Sequence, residues 1–335
     1  MLWTWVRFPP PPPKVRYLQL GCKHFKILVV RVFRQRFLTI LPYLIFWCLL
    51  TNIYSFQNYV LINTFGQFLI FLLLANLPAF FTKRMSYVDI AWPWGLVLIG
   101  ILGLTINHGY WPRQLLISIP FIIAGSRMGI GALFLLYKGH MKREMPRYQY
   151  QRLNWKRLGA SNERFSLQFE ISIQAFANMS FLSLPVLLVA NNPSSKLHSL
   201  ELIGITFWSI SFLLENLADY QKLKFATNCK KQGLKRQNCE VGLWKYSRHP
   251  NYFFEWMVWN SLILISTPSL ISFCKNESLI HGIFLSLGLV SISAILYHTL
   301  IYYTGAIPSE YYSVQKRPKY LDYQKSTNMF FPGLK

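Results

Sequence analysis

GLWKYSRHPNYFFEWMVWNSLILISTPSLIS, residues 242–272, carries a cation-rich loop directly into a long apolar run. Pro250 suits the first turn of a helix, where its missing N–H removes no bond. From there to Ser272 the chain is apolar for about the 20 residues that a helix needs to cross hydrocarbon. Arg248, His249, Asn251, Tyr252 and Glu255 stand together at its head. An ionisable side chain entering hydrocarbon is expensive unless it is paired or functional. The segment therefore predicts a membrane helix with a polar site at one end.

The rest of the chain agrees. Of 335 residues, 53% are hydrophobic and only 14% are charged, below the roughly 25% of a soluble domain. Eight apolar windows qualify as spans: 37–54, 65–82, 93–110, 114–137, 166–190, 199–220, 250–272 and 279–304. The predicted fold is an all-α polytopic transmembrane bundle. The net charge of +23 would suit nucleic acid, but the cations lie between apolar runs rather than along one soluble face. Of the 35 Lys and Arg, 31 fall before the first window, in the loops after even-numbered windows, or after the last. Positive-inside bias then places both termini in the cytoplasm. A bacterial inner membrane or an endoplasmic reticulum membrane gives the same topology, with membrane lipids as partners and nucleic acid excluded.

Residues 1–35, with the run Pro9–Pro13, read as a disordered basic leader of the kind that a start codon called too far upstream would add. Residues 36–84 hold two N-terminal spans, and 85–335 form the main membrane domain. Cys22, Cys48, Cys229, Cys239 and Cys274 make no CxxC pair and no zinc spacing, so neither a disulfide framework nor a metal site is expected.

Depth along the helices groups the acids. At about 1.5 Å per residue, Asp89, Glu170, Glu215, Asp219 and Glu255 share a layer within about two turns of the cytoplasmic boundary. This predicts a water-accessible carboxylate-lined pocket, against the simpler alternative of ion pairs between helix ends. Glu215, Asp219 and Lys222 form one stripe at i, i+4 and i+7. Asn251, Tyr252 and Glu255 share a helix face, while Arg248 and His249 at the helix N-terminus suggest a phosphate seat. The tail holds Glu310, Arg317, Tyr320, Asp322 and Tyr323, and either lies on the membrane surface or folds back over the pocket. Arg127, about 16 Å below the cytoplasmic edge, is expected to pair with a neighbour such as Glu170.

Four motifs in order carry a resemblance: SYVDIAWP (86–93), ADYQKLKF (218–225), GLWKYSRHPNYFFE (242–255) and TGAIPSE…YLDY…FFP (304–332). From Met85 to Lys335 the chain resembles a bacterial membrane family named only as domain of unknown function 1295. That family is related to the C-terminal domain of steroid 5-alpha-reductases, and more distantly to sterol C14-reductases and isoprenylcysteine carboxyl methyltransferases. The resemblance implies an NADPH-dependent reductase of a carbon–carbon double bond in a steroid, prenoid or fatty substrate. It also implies that Asp219, Lys222, Arg248, His249, Asn251, Tyr252 and Glu255 surround the cofactor, with Glu310, Tyr320 and Tyr323 completing the site. Where the family commonly shows a Glu-Asp pair and then Arg-Tyr, this chain has REMPRYQ (143–149), with Met145 in place of the second acid.

Reduction of an activated alkene needs a hydride and a proton donor. Tyr87, Asp89 and Arg127 are the candidate proton-handling residues. A methyltransferase using S-adenosylmethionine on a lipid or prenyl acceptor is the alternative, since it shares the RHPxY element. ADYQKLKF favours the reductase. A scaffold or transporter is the weakest reading, because no internal repeat is visible and the polar groups gather at one face.

Overall fold

The computed structural model describes residues 22–106, 109–160 and 162–334. Helix is 82% of it, with no strand among the described residues. In chain order the helices are α1 (Cys22–Asn52), α2 (Tyr54–Phe71), α3 (Leu77–Thr82), α4 (Val88–Thr105), α5 (Trp111–Tyr137), α6 (Pro146–Arg157), α7 (Glu163–Met179), α8 (Leu184–Ala190), α9 (Ser199–Lys231), α10 (Pro250–Asn276), α11 (Leu279–His298), α12 (Ala306–Lys316) and α13 (Tyr320–Ser326). Seven segments among the described residues are long and apolar enough to cross a membrane. The chain is a multi-pass helical membrane protein.

Seven of the eight expected windows coincide with those segments, with shifted ends. The second begins at Tyr54 and runs through a π-helical turn, Leu72–Asn76, into α3. The third begins earlier than expected because Asp89, in the first turn of α4, is neutralised by Arg147. The first window lies in α1, whose charge-free portion, 37–52, falls short of the roughly 20 residues of a free-standing span. It still reaches the same depth as its neighbours: Arg36 donates to Ser166 near the start of α7, and Phe56, just beyond α1, stacks on Phe273 near the end of α10. Residues 22–35 of the expected leader belong to α1, whereas 1–21, with the proline run, lie outside the described residues.

Small residues set the closest approaches. Gly100 and Gly103 of α4 lie against Ser118 of α5, and Gly204 of α9 lies against Ser261 and Ile265 of α10. At Gly125 an added Cβ would fall 2.6 Å from the Pro93 carbonyl oxygen and 3.0 Å from the Val97 nitrogen. Both are backbone atoms, so no rotamer change relieves the clash. Gly125→Ala is expected to lower stability by about 1–3 kcal/mol, as over-packing does, read as a drop in the melting temperature of the purified protein.

Buried polar groups tie the helices together. Asn63 donates to the Asn178 carbonyl at 3.1 Å, and Gln67 to the Gly95 carbonyl at 2.8 Å, joining α2, α4 and α7. On the cation-poor side Arg113 grips Glu201 with two bonds, at 2.6 and 3.2 Å, both side chains being buried. Glu201 also accepts from the His198 N–H in the capping box of α9. The charge pattern thus separates a basic face from an opposite face whose one buried cation is spent on structure.

Candidate functional site

The five carboxylates expected to share a layer do share a cavity. It has a volume of about 570 Å³, and Asp89, Glu170, Glu215, Asp219 and Glu255 all line it. Tyr252 and Asn251 from the first turn of α10 join them, as do Arg127 of α5 and Arg147 and Tyr148 of α6. An apolar part of the wall is formed by Trp92 from α4, Ile173 and Ala177 from α7, Leu182, Ile295 and Leu296 of α11, and Leu300 just beyond it, with Gln174, His298, Thr299 and Thr304 as further polar lining. After α11 a π-helical turn, Thr299–Tyr303, leads into Gly305. A Cβ on Gly305 would stand 1.7 Å from the Leu300 carbonyl oxygen, so only glycine permits that turn.

Part of the polar layer is internally paired. Arg127 binds Glu215 and reaches Asn216 Oδ1 at 3.0 Å and Asp219 Oδ2 at 3.4 Å. Its partner is therefore Glu215, not Glu170 as expected. Arg127 and Glu215 come from crossing helices α5 and α9, an arrangement set by their packing and not by sequence distance. Glu170 instead accepts from Trp155 Nε1 at 3.1 Å and from Gln151 at 3.4 Å. Asn251 donates to Asp219 Oδ1 at 3.1 Å. Asp89 binds Arg147 at 2.5 Å and accepts the Tyr148 hydroxyl. Burial and the adjacent Asp89 carboxylate push the Tyr148 phenol well above its ordinary pKa, so it keeps its proton at neutral pH.

Other groups are left open. Glu255 has no ion pair and no hydrogen bond among the described residues, although it faces the cavity. Asn251 Oδ1, Arg127 Nε and Arg147 Nε are buried without a partner among the described residues. Buried polar atoms are rarely left unsatisfied unless they await a ligand or water. All three belong to residues that line the cavity, as does the unpaired Glu255.

The other expected cofactor ligands stand elsewhere. Arg248 and His249 do not line the cavity: Arg248 grips Glu310 at 2.7 and 3.2 Å, and His249 Nε2 meets the same carboxylate at 3.1 Å. Arg248 also donates to the carbonyls of Gln324 and Thr327, and its backbone N–H to the Asn328 carbonyl. With every one of these donors engaged, no phosphate seat is open there. Burial lowers the His249 pKa, with the Glu310 hydrogen bond opposing it. Tyr323 donates to the Trp244 carbonyl at 2.5 Å, and Tyr320 packs edge-on against Tyr323. Lys222 lies over the Trp244 ring at 4.3 Å. Glu310, Tyr320 and Tyr323 thus clamp the tail against the RHP segment at the start of α10, while Gly305 at the head of the tail lines the cavity. Tyr87 is also absent from the cavity lining and faces Arg84.

Two residues not singled out from the sequence stand at the centre, Arg147 and Tyr148. Their signal was present in REMPRYQ, but α6 mixes buried Tyr148, Tyr150 and Trp155 with charged residues, and its sequence does not show which side meets α4. Glu144 of the same motif caps the chain at Met85 and Ser86, accepting both backbone N–H groups at 2.8 and 3.1 Å. It positions the turn before Asp89. Ser86 Oγ joins that network, donating to Glu144 and accepting the Met145 N–H at 3.2 Å, while Arg152 donates to Glu144 at 2.8 Å.

A family model described as "Protein of unknown function (DUF1295)" matches residues 77–327, and the chain belongs to that family. No curated protein and no solved structure matches the chain.

Proposed function

We propose that this member of the DUF1295 family is an integral-membrane oxidoreductase that uses NADPH to reduce a carbon–carbon double bond in a lipid-like substrate. The observation that supports it is one cavity with an open polar end and an apolar wall. The acceptors lining this cavity would suit a nicotinamide carboxamide and a ribose. Asn251 Oδ1 is an acceptor for a carboxamide N–H, and Asp219 and Glu255 are acceptors for hydroxyl groups. NADPH, when bound, supplies the hydride. Asp219 and Glu255 would favour a bound group on which positive charge develops. Because Glu310 engages Arg248 and His249, the cations of residues 138–164 and 222–245 would hold the phosphates of NADPH.

A lipid chain rests on the apolar wall formed by Trp92, Ile173, Leu182 and Leu296. Tyr148 is assigned as the proton donor to the second alkene carbon: its hydroxyl turns from Asp89 to the substrate, the neighbouring Arg147 offsets the phenolate charge, and a proton from water restores the phenol. Arg127 is assigned to holding Glu215 and Asp219 in place.

The excess of carboxylates supports a second reading, because the sulfonium of S-adenosylmethionine is also cationic. Cofactor-dependent thermal stabilisation separates the two. NADPH is expected to stabilise the purified protein saturably, and S-adenosylmethionine is not. Glu255→Gln and Asn251→Ala should each weaken NADPH binding by about tenfold or more, the equivalent of ~1.4 kcal/mol, with the melting temperature without cofactor preserved. Stabilisation by S-adenosylmethionine alone, or unaltered NADPH binding in both variants, removes the reductase assignment.

A further inference from the structure

A second cavity, of about 350 Å³, lies on the basic face between α3 and α7 and shares no lining residue with the first. Its floor is Ala79, Leu167 and Gln168, and its rim carries Lys83 and Arg164. Neither rim cation has an ion-pair partner among the described residues, and Arg164 lies over the Phe80 ring at 6.0 Å. The one acid on the rim, Glu163, pairs with Arg152, a guanidinium it shares with Glu144 at 2.8 Å. Lys83 ends α3 in the left-handed conformation (φ 56°), which turns the chain at the end of the apolar segment. Below the rim, Leu73, Leu77, Phe80 and Phe81 are between 42% and 77% exposed along the outer face of the same helical segment.

Two unpaired cations above a strip of exposed apolar side chains complement a molecule with a phosphate at one end and acyl chains at the other. We infer that this cleft binds an anionic phospholipid, its headgroup between Lys83 and Arg164 and a chain along Leu77 and Phe80. Simple topological bias accounts for cations in the loop, but not for a cleft between two of them opening onto an apolar strip. Basic pockets at the ends of membrane helices are the physical setting in which anionic headgroups are retained. The inference is independent of the proposed reductase activity.

The test is thermal stabilisation of the full-length protein in detergent, titrated with phosphatidylglycerol, phosphatidylcholine and glycerol phosphate. Phosphatidylglycerol should stabilise saturably and the other two should not. The double variant Lys83→Asn/Arg164→Gln keeps a residue tolerant of the left-handed turn at position 83, and should need about tenfold more phosphatidylglycerol for the same effect. Equal stabilisation by phosphatidylcholine overturns the requirement for negative charge. Equal stabilisation by glycerol phosphate reduces the site to a soluble-anion site and overturns the lipid assignment. An unchanged response in the variant overturns the location. Should the variant be unstable, native mass spectrometry of the parent decides: retention of phosphatidylglycerol over phosphatidylcholine supports the inference, and equal retention defeats it.

Discussion

Arg248→Ala is expected to destabilise the protein by about 3–5 kcal/mol, the cost of removing one partner from a buried ion pair. Arg248 is 7% exposed and Glu310 is 1% exposed. Loss of the guanidinium leaves the Glu310 carboxylate with His249 and with Gln324, which donates to it at 2.5 Å. It also strips the bonds to the Gln324 and Thr327 carbonyls that hold α13 and the tail. Against a total stability of roughly 5–15 kcal/mol, the result should be a melting temperature lower by about 10 °C or failure to recover folded protein. A phosphate ligand behaves in the opposite way: its removal weakens nucleotide binding and spares stability. Replacing both charges, Arg248→Met with Glu310→Gln, should recover part of the loss, because neutralising both partners leaves no buried charge unpaired. A melting temperature unmoved by Arg248→Ala would refute the clamp.

Tyr148→Phe is expected to cut turnover by about 10²–10⁴-fold, the range for removing a positioned general acid, while altering stability by only about 1 kcal/mol. The readout is NADPH oxidation with a lipid enone as acceptor, beside NADPH binding measured without it. Loss of turnover with binding intact identifies a proton donor. Loss of both identifies a positioning role for the helix α6 segment, and retention of turnover excludes Tyr148 from the chemistry. Asp89→Asn tests the support for the same group. It keeps an acceptor for the Tyr148 hydroxyl but surrenders the charge that holds Arg147, so an intermediate loss of turnover is expected.

Most of the membrane architecture was legible. Apolar length marked the spans, and the clustering of 31 cations marked one face. Hydropathy reports depth, and depth alone was enough to bring Asp89, Glu170, Glu215, Asp219 and Glu255 to one level, where they line one cavity. Depth says nothing about azimuth. Arg127 was expected to face Glu170 on α7, yet the crossing of α5 and α9 delivers it to Glu215. Helix α1 was expected to begin at 37, because the cations before it hide a helical pattern that extends from Cys22.

The RHP segment shows the same boundary more sharply. Cations at a helix N-terminus read equally well as a phosphate seat or as one half of an ion pair. The other half lies 62 residues away in the chain, at Glu310, and is supplied only when the tail folds back. Asn251 and Glu255, four residues apart on the same helix, were grouped correctly by helical periodicity, since that relation is local. From the sequence alone came the spans, the basic face and the level of the acidic groups, all consequences of the transfer energy of single side chains. Which of those groups neutralise one another and which stay open to a ligand was decided by helix packing. That choice depends on pairwise distances between segments that no one-dimensional pattern contains.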